Sequence, residues 1–176
     1  MADRSPHLIL VGLPGVGKST VGRRVAQRVR RRFLDFDAEL ELRGGQRVAR
    51  IFAERGESYF RALERALTEE LVECDGMVLA PGGGWAVDPG NVALLRPPGR
   101  IIFLDATPET VVRRMGARRA ARPLLAGDDP VAAVRRLLDE RRRTYAAADA
   151  VVDTENMNLQ QVIRTVVELA RPFWGG

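Results

Sequence analysis

"HLILVGLPGVGKST", His7 to Thr20, decides the fold. Its first half is a short apolar run ending in glycine, the pattern of a strand buried on both faces. Its second half, Gly12 to Ser19, matches G-x-x-x-x-G-K-[ST] at every fixed position. A helical stretch follows, with Val21, Val25 and Val29 at i, i+4 and i+8 on one face. Strand, glycine turn and helix together make a phosphate cradle. Backbone N–H groups turn inward around the anion, and the helix start adds its dipole and free donors. The expected nucleotide-binding set is Gly15, Val16, Gly17, Lys18, Ser19 and Thr20. Lys18 reaches the β- and γ-phosphates, and the Ser19 hydroxyl is placed for Mg²⁺. Lys18 is also the only lysine in a chain with 28 basic residues. Arginine's planar fork does not thread over such a loop, whereas a slender ammonium does.

Working outward, the chain alternates strand and helix. Expected strands cover 7–13, 33–37, 77–84, 100–106 and 148–154. Expected helices follow residue 18, lie around 37–43, 46–55 and 58–73, open at Pro108, and close the chain over 158–170. This alternation predicts an α/β domain with a mainly parallel sheet covered on both faces. The 176 residues suit one domain spanning 1–176. The segment 116–130, rich in arginine and broken by glycine and proline, reads as a mobile charged loop.

Composition narrows the chemistry. A single cysteine, Cys74, leaves no internal disulfide and fits a reducing cytoplasm. The only histidine is His7, so a histidine-based triad elsewhere is excluded and a zinc site is disfavoured. No stretch approaches the ~20 apolar residues of a membrane helix, and no signal peptide is expected at the N-terminus. The net charge of +5 comes from arginines scattered through every segment, which favours small anions over nucleic acid as partners. With its one lysine spent at position 18, the chain has no Asn-Lys-x-Asp segment for guanine.

Three further features carry chemistry. Asp35 and Asp37, read as the end of the second strand, fall on one side by alternation and face the crevice at the sheet's carboxyl edge. Either alone also suits a turn or a helix cap. Arg61 and Glu64 share a helix face at i, i+3, the spacing of an ordinary surface pair. Gly82, Gly83 and Gly84 end a strand with their backbone donors unobstructed. Asp105, ending the fourth strand, is the alternative Mg²⁺ ligand.

In order, "GLPGVGKST", "LDFD", "IFAERGE", "FRALE", "PGGG", "RPLLAG", "ER" before "TY", and "VVDT" resemble the shikimate kinase family from residue 8 to about 154. The resemblance implies a three-layer α/β/α P-loop kinase fold with a five-stranded sheet and a lid near 116–130. It implies ATP- and Mg²⁺-dependent phosphorylation of the 3-hydroxyl of shikimate by a cytoplasmic monomer. By the same likeness, Asp37 binds the ring hydroxyl and acts as general base, and Asp35 holds Mg²⁺ beside Ser19. Arg61 and Arg141 clamp the carboxylate, Gly83 offers a backbone N–H, and Arg122 closes with the lid. Arg114 flanks adenine, with Asp153 and Thr154 nearby. Four departures stand out: Phe36 between the acids, Pro81 before the glycines, Trp85 after them, and "RRTY" after Arg141. The last leaves Arg142 and Arg143 as alternative carboxylate ligands. A P-loop kinase acting on another small polyol or hydroxy acid, and a non-catalytic nucleotide-binding module, are the competing readings.

Overall fold

The structure, a computed structural model, describes residues 5–116 and 128–174. Strand β1 (Leu8–Val11) runs through the glycine loop into α1 (Lys18–Val29). β2 (Phe33–Asp35) passes directly into α2 (Phe36–Gly44), followed by α3 (Val48–Leu71). β3 (Val78–Ala80) leads to a 3₁₀ turn at Trp85–Val87 and α4 (Pro89–Leu95). β4 (Arg100–Asp105), α5 (Pro108–Met115), α6 (Pro130–Ala146), β5 (Ala150–Asp153) and α7 (Leu159–Ala170) complete the order.

The five strands form one parallel sheet in the order β2-β3-β1-β4-β5. β1 is central: Leu8 is level with Val78 on one side and Arg100 on the other. All four of its residues are 3% exposed or less, which is why it reads as an unbroken apolar run. On one helical layer, α1 packs its Val21–Val25–Ala26 face near Val162, Ile163 and Val166 of α7. Strand order reverses beside β1, so the crevice expected at the carboxyl edge opens where the glycine loop begins.

Several expected boundaries move. The second strand stops at Asp35 rather than residue 37, because the Asp35 carboxylate accepts from Ala38 N at 3.1 Å and caps α2. The third strand stops at Ala80, short of the glycines. The two helices expected over 46–55 and 58–73 are the limbs of α3, bent at Gly56, where φ is +79°. Helices α4 and α6 are additions to the expected set.

His7 is a structural residue. It is 6% exposed, Met77 N donates to its Nδ1 at 3.1 Å, and its Nε2 donates to Leu71 O at 3.0 Å. It thereby ties the start of β1 to the end of α3 and the approach to β3. Burial pushes its pKa down, partly offset by the Leu71 carbonyl and the charge of Asp75. A lowered folded-state pKa leaves stability unaffected above the unfolded value. Below about pH 6.5 the unfolded chain takes up a proton that the folded chain refuses. Stability should therefore fall by up to about 1.4 kcal/mol per pH unit on acidification, until the folded pKa is reached. Melting temperatures at pH 7.5 and 5.5 check this: the drop should be smaller in His7→Asn than in the parent chain.

Candidate active site

At the carboxyl edge of the sheet lies a cleft of about 350 Å³, lined from Gly15 to Val21, by Asp35 and Asp37, by Ala80 to Gly83, and by Arg114 and Met115. Thr154, Met157, Leu159 and Val162 close its far side.

The glycine loop forms the floor. Gly15 has φ +86°, and a Cβ there would collide with the Met115 side chain. Gly17 has open space around it but φ +112°, so conformation alone demands glycine. Gly17 is also the N-cap of α1 and supplies no side-chain cap, so the first amides of α1 point toward the cleft without a side-chain acceptor from that position. Lys18 is 9% exposed, and its Nζ donates to Gly12 O at 2.8 Å and Leu13 O at 3.0 Å. The ammonium is held folded over the loop.

Asp35 and Asp37 both line the cleft, although strand alternation does not put them there. Asp35 is the last strand residue and the cap of α2, while Asp37 stands on the first turn of that helix. Between them Phe36, fully buried, turns into the core. The second Asp35 oxygen accepts a hydrogen bond from the Ser19 hydroxyl. Ser19 and Asp35 thus offer two hard oxygens side by side. No group of three or more His, Cys, Asp or Glu suited to a metal occurs among the described residues. This donor set fits Mg²⁺, which commonly takes one or two protein oxygens and completes its shell with phosphate and water. Asp105, the alternative ligand, does not line the cleft, and burial pushes its carboxyl pKa up.

Around Gly82–Gly84 is a corner of opposed charges whose heads, Arg61, Glu64 and Arg141, are not among the residues that line the cleft. Arg61 donates through Nη1 to Glu64 Oε2 at 2.5 Å and through Nη2 to Glu57 Oε1 at 2.8 Å. Glu64 is fully buried, so this i, i+3 pair is no surface ornament. Burial raises the Glu64 pKa, Arg61 opposes the rise, and the nearby charge of Asp37 adds to it. The three glycines each lie against one charged head. A Cβ on Gly82 would stand 2.5 Å from Glu64 Oε1, and one on Gly83 3.0 Å from Arg141 Nη1. One on Gly84 would overlap the Arg61 guanidinium. Close approach of these heads to the backbone is the reason for three glycines in a row.

Arg141 is 6% exposed, and its Nη1 is buried with no hydrogen-bond partner among the described residues. Arg142 and Arg143 are exposed, and Arg142 pairs with Asp139 at 3.2 Å. The inward face of α6 is Val134, Leu137, Arg141 and Tyr145. Tyr145 donates to Gly83 O at 2.6 Å and stacks on Phe103 at 4.7 Å. An unpaired buried guanidinium nitrogen is costly, and a carboxylate is its natural partner.

A family model described as shikimate kinase matches residues 14–171. The chain belongs to the shikimate kinase family. It is 39% identical over 165 residues to a shikimate kinase of Pelotomaculum thermopropionicum, covering 94% of this chain and 95% of that one. It is 43% identical over 163 residues to one of Pseudomonas putida, covering 92% and 94%. Among solved structures, the shikimate kinase from Acinetobacter baumannii in complex with shikimate superposes with a TM-score of 0.87 at 33% identity, over 94% of this chain and 92% of that one.

For a shikimate kinase, the remaining expected positions are unequal. Arg114 lines the cleft but is already engaged: Nη1 donates to Thr154 Oγ1 and Nη2 to Thr154 O, both at 2.7 Å. It pins the loop after β5 against the glycine loop. Asp153 is exposed, does not line the cleft, and accepts from Glu155 N at 2.9 Å. Arg122 and residues 117–127 of the expected lid lie outside the described residues. Sequence reasoning missed the site roles of Glu64, Met115 and Tyr145. Glu64 had a legible signal: it falls on the same helical face as Phe60, Leu67 and Leu71.

Proposed function

We propose that this chain uses ATP to phosphorylate the 3-hydroxyl of shikimate, giving shikimate 3-phosphate. The observation that carries this reading is Arg141. A buried guanidinium nitrogen with no hydrogen-bond partner among the described residues lies against Gly83, a lining residue of the cleft that also abuts Pro14 of the glycine loop, and it calls for a small acid within reach of that loop. A relative of the same family is described in complex with shikimate.

In this reading Arg61 and Arg141 hold the carboxylate and the Gly83 N–H orients a ring hydroxyl. Asp37 binds the 3-hydroxyl and accepts its proton. Lys18 and the amides of the glycine loop neutralise charge on the transferring phosphoryl oxygens, a role the family likeness also gives to Arg122. Ser19 and Asp35 hold Mg²⁺, which when bound supplies further neutralisation of phosphate charge. Gly15, Val16, Gly17 and Thr20 line the phosphate path, and Arg114 stabilises the wall beside the nucleotide base. Such transfer rests on positioning and charge neutralisation rather than covalent help. A cytoplasmic monomer accompanies the reading. No helix among the described residues is long and apolar enough to cross a membrane.

ADP release coupled to NADH oxidation tests it, with shikimate, quinate and gluconate as acceptors. Shikimate should give the highest kcat/KM. Preference for either of the others assigns the chain to a different acceptor. In the same assay Arg141→Lys should raise KM for shikimate about 10-fold or more, the cost of one or two charge-assisted hydrogen bonds at ~1.5–3 kcal/mol each. Arg142→Lys should leave it unchanged, and KM for ATP should hardly move in either.

A further inference from the structure

Phe36 and Trp85, two of the departures from the family pattern, meet each other. Their rings are edge-to-face at 6.3 Å and 71°, and both are fully buried. Neither lines the cleft. The Trp85 indole N–H donates to Thr68 Oγ1 at 2.8 Å, and the Thr68 hydroxyl donates in turn to Glu64 O at 2.7 Å. Thr68 is also fully buried. On its other side, the Trp85 carbonyl accepts from Asn91 Nδ2 at 3.2 Å.

Each member of this cluster is attached to a different wall of the acceptor corner. Phe36 lies between Asp35 and Asp37 on the approach to α2. Trp85 follows Gly84, whose backbone abuts the Arg61 guanidinium. Thr68 lies one turn beyond Glu64, the residue that grips Arg61. An indole is large and has few rotors, so its placement fixes the backbone that carries it. Its buried N–H is expensive to leave unpaired, so the glycine turn is held where Thr68 can accept.

We propose that Thr68 and Trp85 form a positioning pair that sets the glycine turn against α2 and α3. Asp37, the Gly83 N–H and Arg61 thereby share one acceptor geometry. The proposal rests on reading that corner as the acceptor subsite. The pair acts on the acceptor and not on the nucleotide, because the glycine loop, α1 and Arg114 make no contact with it in the hydrogen bonds of the cluster.

Steady-state kinetics of Thr68→Val, Thr68→Ser, Trp85→Phe and the Thr68→Val/Trp85→Phe double variant test it, with melting temperatures alongside. Thr68→Val should raise KM for shikimate about tenfold, the factor for a buried donor left unpaired, with KM for ATP within about twofold. Thr68→Ser, which keeps the hydroxyl, should restore the parent value. The double variant removes donor and acceptor together, so its effect should be smaller than the product of the single effects. Trp85→Phe retains an aromatic ring and serves as the reading if Thr68→Val does not fold. Parallel changes in both KM values, an unmoved KM for shikimate, or a Thr68→Ser variant as impaired as Thr68→Val would overturn the proposal. An unaltered chain that prefers another acceptor instead refutes the substrate assignment, and the same KM split is then read on that acceptor.

Discussion

Lys18→Met should lower kcat by about 10²–10³, the usual cost of removing one preorganised charge from a transition state. The fold should persist, because Lys18 contributes little to the core: its ammonium donates to two carbonyls of its own loop, Gly12 O and Leu13 O. Those two contacts hold the charge over the cradle before any phosphate arrives, so little reorganisation is needed during transfer. Lys18→Arg should fare little better. A planar fork cannot sit on two carbonyls of one tight turn without displacing it. Initial rates at saturating ATP and shikimate, together with thermal denaturation, check both variants. An unchanged kcat with a native melting curve removes the glycine loop from the chemistry.

Asp37→Asn should cost about 10²–10⁴ in kcat, the range for loss of a general base. The amide keeps the shape and one acceptor oxygen, so the hydroxyl is still held, but the proton has nowhere to go. Asp37 stands on the first turn of α2, where the helix dipole stabilises negative charge. Pre-steady-state bursts and kcat at saturating substrates measure the effect. A loss below tenfold would leave Asp37 a positioning role only.

The glycine loop was legible because backbone geometry dictates its letters: positive φ at Gly15 and Gly17 leaves no alternative residue. The acids were legible as a pair but for a different reason from the real one. A strand of three residues is too short for alternation to decide, and Asp35 converts it into a helix cap. Glu64 was read as half of a surface ion pair, since i, i+3 spacing says nothing about which side faces the core. Its burial depends on the β3 turn coming down over α3. The choice among Arg141, Arg142 and Arg143 needed α6, whose buried positions 134, 137, 141 and 145 follow helical spacing. That helix carries so many arginines that its apolar stripe is thin. Trp85 next to the glycines was legible only as a departure from the family pattern. Its hydrogen bond to Thr68, 17 residues away, is tertiary and left no local trace.

The solitary lysine has a practical corollary. Apart from the chain's terminal amine, the protein offers a single aliphatic amine to acylating or reductively methylating reagents, and that amine lies in the phosphate cradle. Isotopic methylation would therefore install one NMR reporter at the heart of the cleft, with no crowd of surface signals to assign. The same chemistry immobilises the protein poorly, so capture on a sensor surface is better done through another group.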